Sequence, residues 1–163
     1  MTARMTARVT ARRRFLVLAA GAVAAPALAQ LPPNVAAMRK AALEDAIRKV
    51  TGGAPVKTGR VKIDMPPLID NGNAVPVEIT VESPMTAADH VRSIHLFTEK
   101  NPQPNVIGVA LGPRAGRARI ATRARIADTG QVIAVARMSD GSFWMERIEV
   151  VVTLSACLED GLI

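Results

Sequence analysis

Between residues 35 and 50, apolar side chains return every three or four positions: Val35, Met38, Ala42, Leu43, Ala46, Ile47 and Val50. That is the period of one helical face. Asn34 stands ahead of it as an N-cap behind Pro32-Pro33, and Thr51-Gly52-Gly53-Ala54-Pro55 supplies the stop, so the pattern predicts a helix over 35–51. Past Pro55 the period shortens to two. Val75, Val77, Ile79 and Val81 alternate with Pro76, Glu78, Thr80 and Glu82, the mark of a strand with one wet face.

The same reading gives strands over 60–64, 91–98, 106–111, 117–127, 131–138 and 143–154. Asp140-Gly141 sits between the last two as a hairpin turn. Over 117–127, Arg117, Arg119, Arg123 and Arg125 take one face, and Ala118, Ile120, Thr122, Ala124 and Ile126 take the other. In the last run Trp144, Ile148, Val150, Val152 and Leu154 share a face, which predicts a strand central to the core. Seven short strands with turn signals between them predict an all-β fold, an immunoglobulin-like seven-stranded β-sandwich carrying one short N-terminal helix.

Composition changes this picture mainly at the N-terminus. The 163 residues include 21 Lys+Arg and 14 Asp+Glu, a net charge of +7, but five of the arginines (Arg4, Arg8, Arg12, Arg13, Arg14) lie in residues 1–29, where there is no acid. Without them the balance is 16 against 14. Arg12-Arg13-Arg14-Phe15-Leu16 fits a twin-arginine export motif, an Ala-rich apolar stretch follows, and Ala27-Leu28-Ala29 fits a signal-peptidase site. The apolar run is shorter than the roughly 20 residues of a membrane span. A periplasmic chain starting at Gln30 is therefore expected, with no membrane attachment after cleavage. Met1-Thr2-Ala3-Arg4 repeats as Met5-Thr6-Ala7-Arg8, and either methionine can initiate.

Candidate chemistry is sparse. Cys157 is the only cysteine, placed beyond the last strand, which excludes an internal disulfide and a cysteine metal cluster. A lone thiol in an exported chain is either a reactive attachment point or incidental; Glu159 and Asp160 disfavour its thiolate, and no basic neighbour activates it. His90 and His95 are five apart along one strand, so they fall on opposite sides and do not share a metal. No metal or cofactor is expected, and no spacing supports catalysis by Cys157 with a histidine base. The stretch 114–125 has five arginines and no acid, which suits either a solvated strand face or an acidic protein partner. Past the leader, Phe97, Phe143 and Trp144 are the only Phe or Trp, too few to stack bases, so nucleic acid is not expected.

Several segments together resemble the SoxY family, the sulfur carriers of bacterial thiosulfate oxidation. They are His95-Leu96-Phe97, Asn101-Pro102-Gln103-Pro104, Ala121-Thr122-Arg123-Ala124-Arg125, the run from Met138 to Trp144, and Glu149-Val150-Val151-Val152-Thr153 ahead of a near-terminal cysteine. The resemblance implies a non-catalytic protein that holds sulfur intermediates covalently on Cys157. It also implies a SoxZ-like subunit, sulfur-oxidising periplasmic enzymes and sulfur anions as partners; the arginine face read from the strand pattern, Arg117, Arg119, Arg123 and Arg125, is the candidate docking face for an acidic partner surface. The alternative is an interaction module that binds a SoxZ-type subunit without carrying sulfur. Members of the family place their cysteine in a Gly-Gly-Cys-Gly-Gly arm; here it is framed by Ser155-Ala156 and Leu158-Glu159, closer to a related group with an Ala-Ala-Cys-Ile-Glu arm. The resulting organisation is a leader over 1–29, a helical segment over 30–55, the sandwich over 56–154 and the arm over 155–163.

Overall fold

The computed structural model describes residues 33–156; the leader and Cys157 lie outside the described residues. The single helix described, α1 (Pro33–Thr51), begins two residues earlier than the pattern predicts. Proline suits the first helical position because its missing N–H would have no intrahelical partner there. Asn34 therefore lies inside the first turn rather than capping it, and its Oδ1 accepts from the Val35 N–H.

Nine strands follow among the described residues: β1 (Val56–Thr58), β2 (Val61–Asp64), β3 (Leu68–Ile69), β4 (Val75–Val81), β5 (Val91–Thr98), β6 (Asn105–Ala110), β7 (Arg119–Ala124), β8 (Gly130–Met138) and β9 (Phe143–Val152). The seven expected strands are all present. The additional two, β1 and β3, are only three and two residues long, below what periodicity can reveal. β2, β4 and β7 form one antiparallel sheet, and the other runs β1-β9-β8-β5-β6, with β3 also paired to β9. Both short strands run parallel to β9, at opposite ends of it. The β8–β9 hairpin turns where expected, with Gly141 at φ 85°, a conformation glycine adopts without a Cβ clash.

The two sheets face each other across an aliphatic core. Ile79 and Val77 of β4, Ile94 and Leu96 of β5, Val132 and Ala134 of β8 and Val150 of β9 meet there. A second cluster lies on the outer face of the larger sheet, where α1 covers Phe97, Ile133, Val135 and Phe143 with Leu43, Ala46, Ile47 and Val50. The molecule is thus three layers deep at β8, whose residues Val132–Ala136 are all buried without alternation. Only the C-terminal half of the helical stripe is used; Met38 is 69% exposed.

Three further expectations change. β9 is flanked on both sides but is not central; β8 is. Leu154 points outward at 59% exposure, because β9 ends at Val152 and the chain bends there, so the period-2 reading does not extend to 154. The arginine strand spans 119–124 rather than 117–127, since a 3-10 turn at Pro113–Ala115 precedes it and Arg125 has left the sheet.

Candidate functional site

Cys157 lies just past the described residues, the last of which are Leu154, Ser155 and Ala156. From Val152 to Ser155 each residue makes a hydrogen bond to a neighbouring loop. The Val152 N–H donates to Thr129 Oγ1 at 2.9 Å, and Thr153 N–H donates to the Ile69 carbonyl at 2.9 Å. Thr153 Oγ1 donates to the Asp70 carbonyl at 3.1 Å, the Gly72 N–H donates to the Leu154 carbonyl at 3.0 Å, and Ser155 Oγ lies 3.5 Å from Asp128 Oδ1. Ala156 is 0% exposed. Ser155 thus stays at the surface beside Asp128, and Ala156 is buried.

Two side-chain choices shape this end of the sandwich. Asn101, from the Asn-Pro-Gln-Pro segment, imitates a strand neighbour: its Nδ2 donates to the Arg125 carbonyl at 2.8 Å and its Oδ1 accepts from Ala127 N–H at 2.9 Å. Gly72 admits close backbone approach. A Cβ there would lie 2.2 Å from the Ile126 carbonyl oxygen and 3.0 Å from the Ala156 nitrogen. Sequence reading quoted Asn101 only as part of a motif and did not single out Gly72, although Asp70-Asn71-Gly72-Asn73 between two apolar runs is a turn signal.

Arg119 and Arg123 lie on β7, the edge strand of the smaller sheet, with Arg117 just before it and Arg125 just after it. Arg117, Arg119, Arg123 and Arg125 are all exposed. Arg119 is answered from within: it forms a two-point ion pair with Glu78 on β4. Among the described residues no carboxylate pairs with Arg117, Arg123 or Arg125. Pro76 lies opposite Arg123 and Thr80 opposite Arg119, so these side chains share the outward face of the sheet with Glu78.

The opposite edge of that sheet is closed by Glu146. This residue has the inward parity of Trp144 and Ile148, yet its carboxylate reaches across to accept from the Ile63 N–H on β2. It satisfies a donor that β2 would otherwise leave unpaired. Sequence reading passed over it, although an acid at an inward position of a buried strand is itself a signal.

The histidines do not meet a metal-sized cluster; among the described residues no three His, Cys, Asp or Glu converge. His90 Nδ1 lies 3.1 Å from the Thr86 carbonyl. His95 stacks beside Phe97 with ring centroids 6.2 Å apart, and Gly108 opposite leaves room for its ring. Burial lowers its pKa, against a smaller raising contribution from Asn105. Trp144 is half-buried, with Lys57 at 5.5 Å and Arg60 at 5.2 Å from its ring centre and its Nε1–H donating to Ser142 Oγ. No helix among the described residues is long and apolar enough to cross a membrane.

The profile of the family described as sulfur oxidation protein SoxY matches residues 47–157. The chain belongs to the SoxY family. The match begins within α1, spans every strand and ends on Cys157. Among solved structures, the sulfur carrier protein SoxY from Chlorobium limicola f thiosulfatophilum is similar at 28% identity and a TM-score of 0.60, covering 71% of this chain and 99% of that one. The superoxide reductase (neelaredoxin) of Ignicoccus hospitalis aligns at 19% identity and a TM-score of 0.53, over 60% of this chain and 94% of that one. A putative superoxide reductase from Thermotoga maritima gives 20% and 0.51, over 60% and 93%. These two share the immunoglobulin-like fold alone. No curated protein sequence matches. The SoxY resemblance and the fold read from the sequence are borne out.

Proposed function

We propose that this SoxY-family protein is a non-catalytic carrier in sulfur oxidation, exported to the periplasm by the twin-arginine route and holding sulfur intermediates covalently on Cys157. The observation that carries the reading is the extent of the family match, which covers the sandwich and ends on the one cysteine of the chain. The carrier title of the Chlorobium limicola relative supports it. Export is supported by Arg12-Arg13-Arg14-Phe15-Leu16 followed by Ala27-Leu28-Ala29. The four-part organisation, with a leader over 1–29, a helical segment over 30–55, the sandwich over 56–154 and the arm over 155–163, belongs to the same proposal.

The chemistry assigned to the carrier is limited. The Cys157 thiol loses its proton, and the thiolate forms an S–S bond with the outer sulfur of thiosulfate. Two electrons are released in that step, and a partner oxidase accepts them. A SoxZ-like subunit and such enzymes are the proposed partners. Arg117, Arg123 and Arg125 are the cations available to an acidic partner surface, with Arg119 contributing through its pair with Glu78.

Intact-mass measurement of protein purified from its host, before and after reductant, tests the carrier reading. Sulfur-bearing adducts that vanish with reductant, and are absent from Cys157→Ser, are expected. A wild-type mass without adducts under sulfur-oxidising growth favours the second reading, an interaction module that binds a SoxZ-type subunit. The glycine-free frame Ser155-Ala156-Cys157-Leu158-Glu159 is the feature that favours that alternative.

A further inference from the structure

Hydrogen bonding across the β4–β7 pair alternates. The Val81 N–H donates to the Ala118 carbonyl at 2.9 Å, which makes these two residues a bonded pair one step beyond Thr80 and Arg119. In an antiparallel ladder every second pair is bonded, so Ile120, Thr122 and Ala124 also turn their backbone groups toward β4. Pro76 fits this phase: it lies opposite Arg123 in a pair that is not bonded, where a missing N–H leaves the ladder intact. Arg119, Ala121 and Arg123 consequently direct their N–H and carbonyl groups away from β4, to the open edge. Among the described residues no second strand pairs with β7, and nothing meets those groups.

Both ends of this open stretch are closed. The Arg117 N–H donates to the Ala115 carbonyl at 2.8 Å. Past the strand, Asn101 meets the Arg125 carbonyl at 2.8 Å and the Ala127 N–H at 2.9 Å. On the far edge of the same sheet, Glu146 answers the Ile63 N–H. What remains open is a slot over 119–123, and the side chains beside it are selective. Arg119 and Arg123 are exposed, with exposed Ala121 between them on the same outward face. Ala121 also borders a cleft of about 530 Å³ lined by Met65, Pro66 and Pro76.

We propose that β7 is a strand-addition site, on which an extended acidic segment of a partner protein pairs antiparallel with Arg119–Arg123 as a fourth strand of the smaller sheet. Residues directly opposite each other share a face. Carboxylates four residues apart in the segment then meet the Arg119 and Arg123 guanidiniums, and the side chain midway between them lies over Ala121. Arg119 keeps Nη1 for this purpose, since its Nε and Nη2 hold Glu78. Backbone bonds supply the hold, and the arginines supply the choice of partner. A second copy of β7 does not suit the slot, because antiparallel pairing about Ala121 sets Arg119 against Arg123. The inference deepens the acidic-partner reading of these arginines and rests on it for its charge.

Amide exchange followed by NMR on the isotope-labelled full chain tests this, with the blocked peptide Thr-Glu-Thr-Val-Thr-Glu-Thr as probe. At saturating peptide, exchange at Arg119, Ala121 and Arg123 should slow about fivefold or more, the scale of one net hydrogen bond. Ile120 and Thr122, already turned to β4, should not change. The same peptide N-methylated at its valine and both glutamates keeps the charge but loses the donors, and it should bind weakly and protect nothing. Ala121→Pro removes one edge donor at a position where an edge strand tolerates proline, and it should weaken binding of the unmethylated peptide. Equal binding of the two peptides without protection overturns strand addition and leaves the arginines as a charged docking face. Protection that appears without peptide as protein concentration rises names a second copy as occupant and also overturns it. So does no binding of either peptide, and the association of Arg123→Glu with a SoxZ-type subunit then decides the arginine reading separately.

Discussion

Arg119 holds Glu78 in a fork across the β4–β7 pair, Nε to Oε1 at 2.5 Å and Nη2 to Oε2 at 2.6 Å. The hydrogen bonds from the guanidinium lower the Glu78 carboxyl pKa from its ordinary value, against an opposing effect of desolvation. A carboxyl whose pKa is lowered by folding contributes stability above its unfolded pKa, and that contribution is lost as pH falls through the folded value. Carboxyl-detected NMR titration should find Glu78 titrating below an ordinary glutamate. In Arg119→Gln it should move back up toward that of an ordinary glutamate.

The same fork separates the arginines by role. Arg123 has no carboxylate partner among the described residues, so reversing its charge removes a cation open to a partner. With a SoxZ-type subunit as ligand in surface plasmon resonance, Arg123→Glu should slow association at low salt, and the difference should shrink as salt rises. Arg119→Gln should have the smaller effect. Equal association rates for wild type and Arg123→Glu would mark this edge as an ordinary solvated face.

His95 gives the fold a second pH dependence. Its ring is partly buried beside Phe97, its Nδ1 has no hydrogen-bond partner, and desolvation lowers its pKa. The unfolded chain therefore binds the proton more readily. Stability should be full above about pH 6.5 and fall as pH drops from there toward the folded value. Urea midpoints should show this slope in wild type and lose it in His95→Gln.

The helix supplies one wall of the second core, so its contacts should be unequal along its length. Leu43 is buried against Phe97, Ile133 and Val135, and Leu43→Ala should cost about 2–4 kcal/mol in urea unfolding. Met38→Ala, one turn earlier and mostly exposed, should stay within about 0.5 kcal/mol.

Glu146 should be valued for its acceptor rather than its charge. Glu146→Leu leaves the Ile63 N–H without its partner, at a cost of about 1–3 kcal/mol. Glu146→Gln, which keeps an acceptor oxygen, should recover most of the loss.

The sequence made the sandwich legible because most of its strands carry their own period or their own turn. Asp140-Gly141 and the alternation over 75–81 were sufficient for their hairpin and strand. The parts that were not legible depend on partners distant in sequence. β1 and β3 exist because β9 offers hydrogen bonds to them, and two or three residues hold no periodicity. Glu146 and Ile63 are 83 residues apart. Leu154 was misplaced because alternation continues in the letters after the strand has ended. Cys157 was legible as a candidate from its uniqueness, whereas the seating of Ser155 and Ala156 was not, since it comes from Gly72 and Asp128 rather than from local sequence.

The parallel pairing of β3 with β9 bears on how the fold takes a pull at the end of its last strand. A pull on Ala156 along the β9 axis acts in shear on the ladders to β3, β8 and β1 together. Bonds in such an arrangement must give way as a group, whereas a strand peeled from its edge loses them one by one. The Ser155–Asp128 contact and the Leu154–Gly72 hydrogen bond lie ahead of the ladders in that line of force, each a single interaction rather than a set. A pull at Ala156 would therefore free the residues after Val152 before the load reached the sheets.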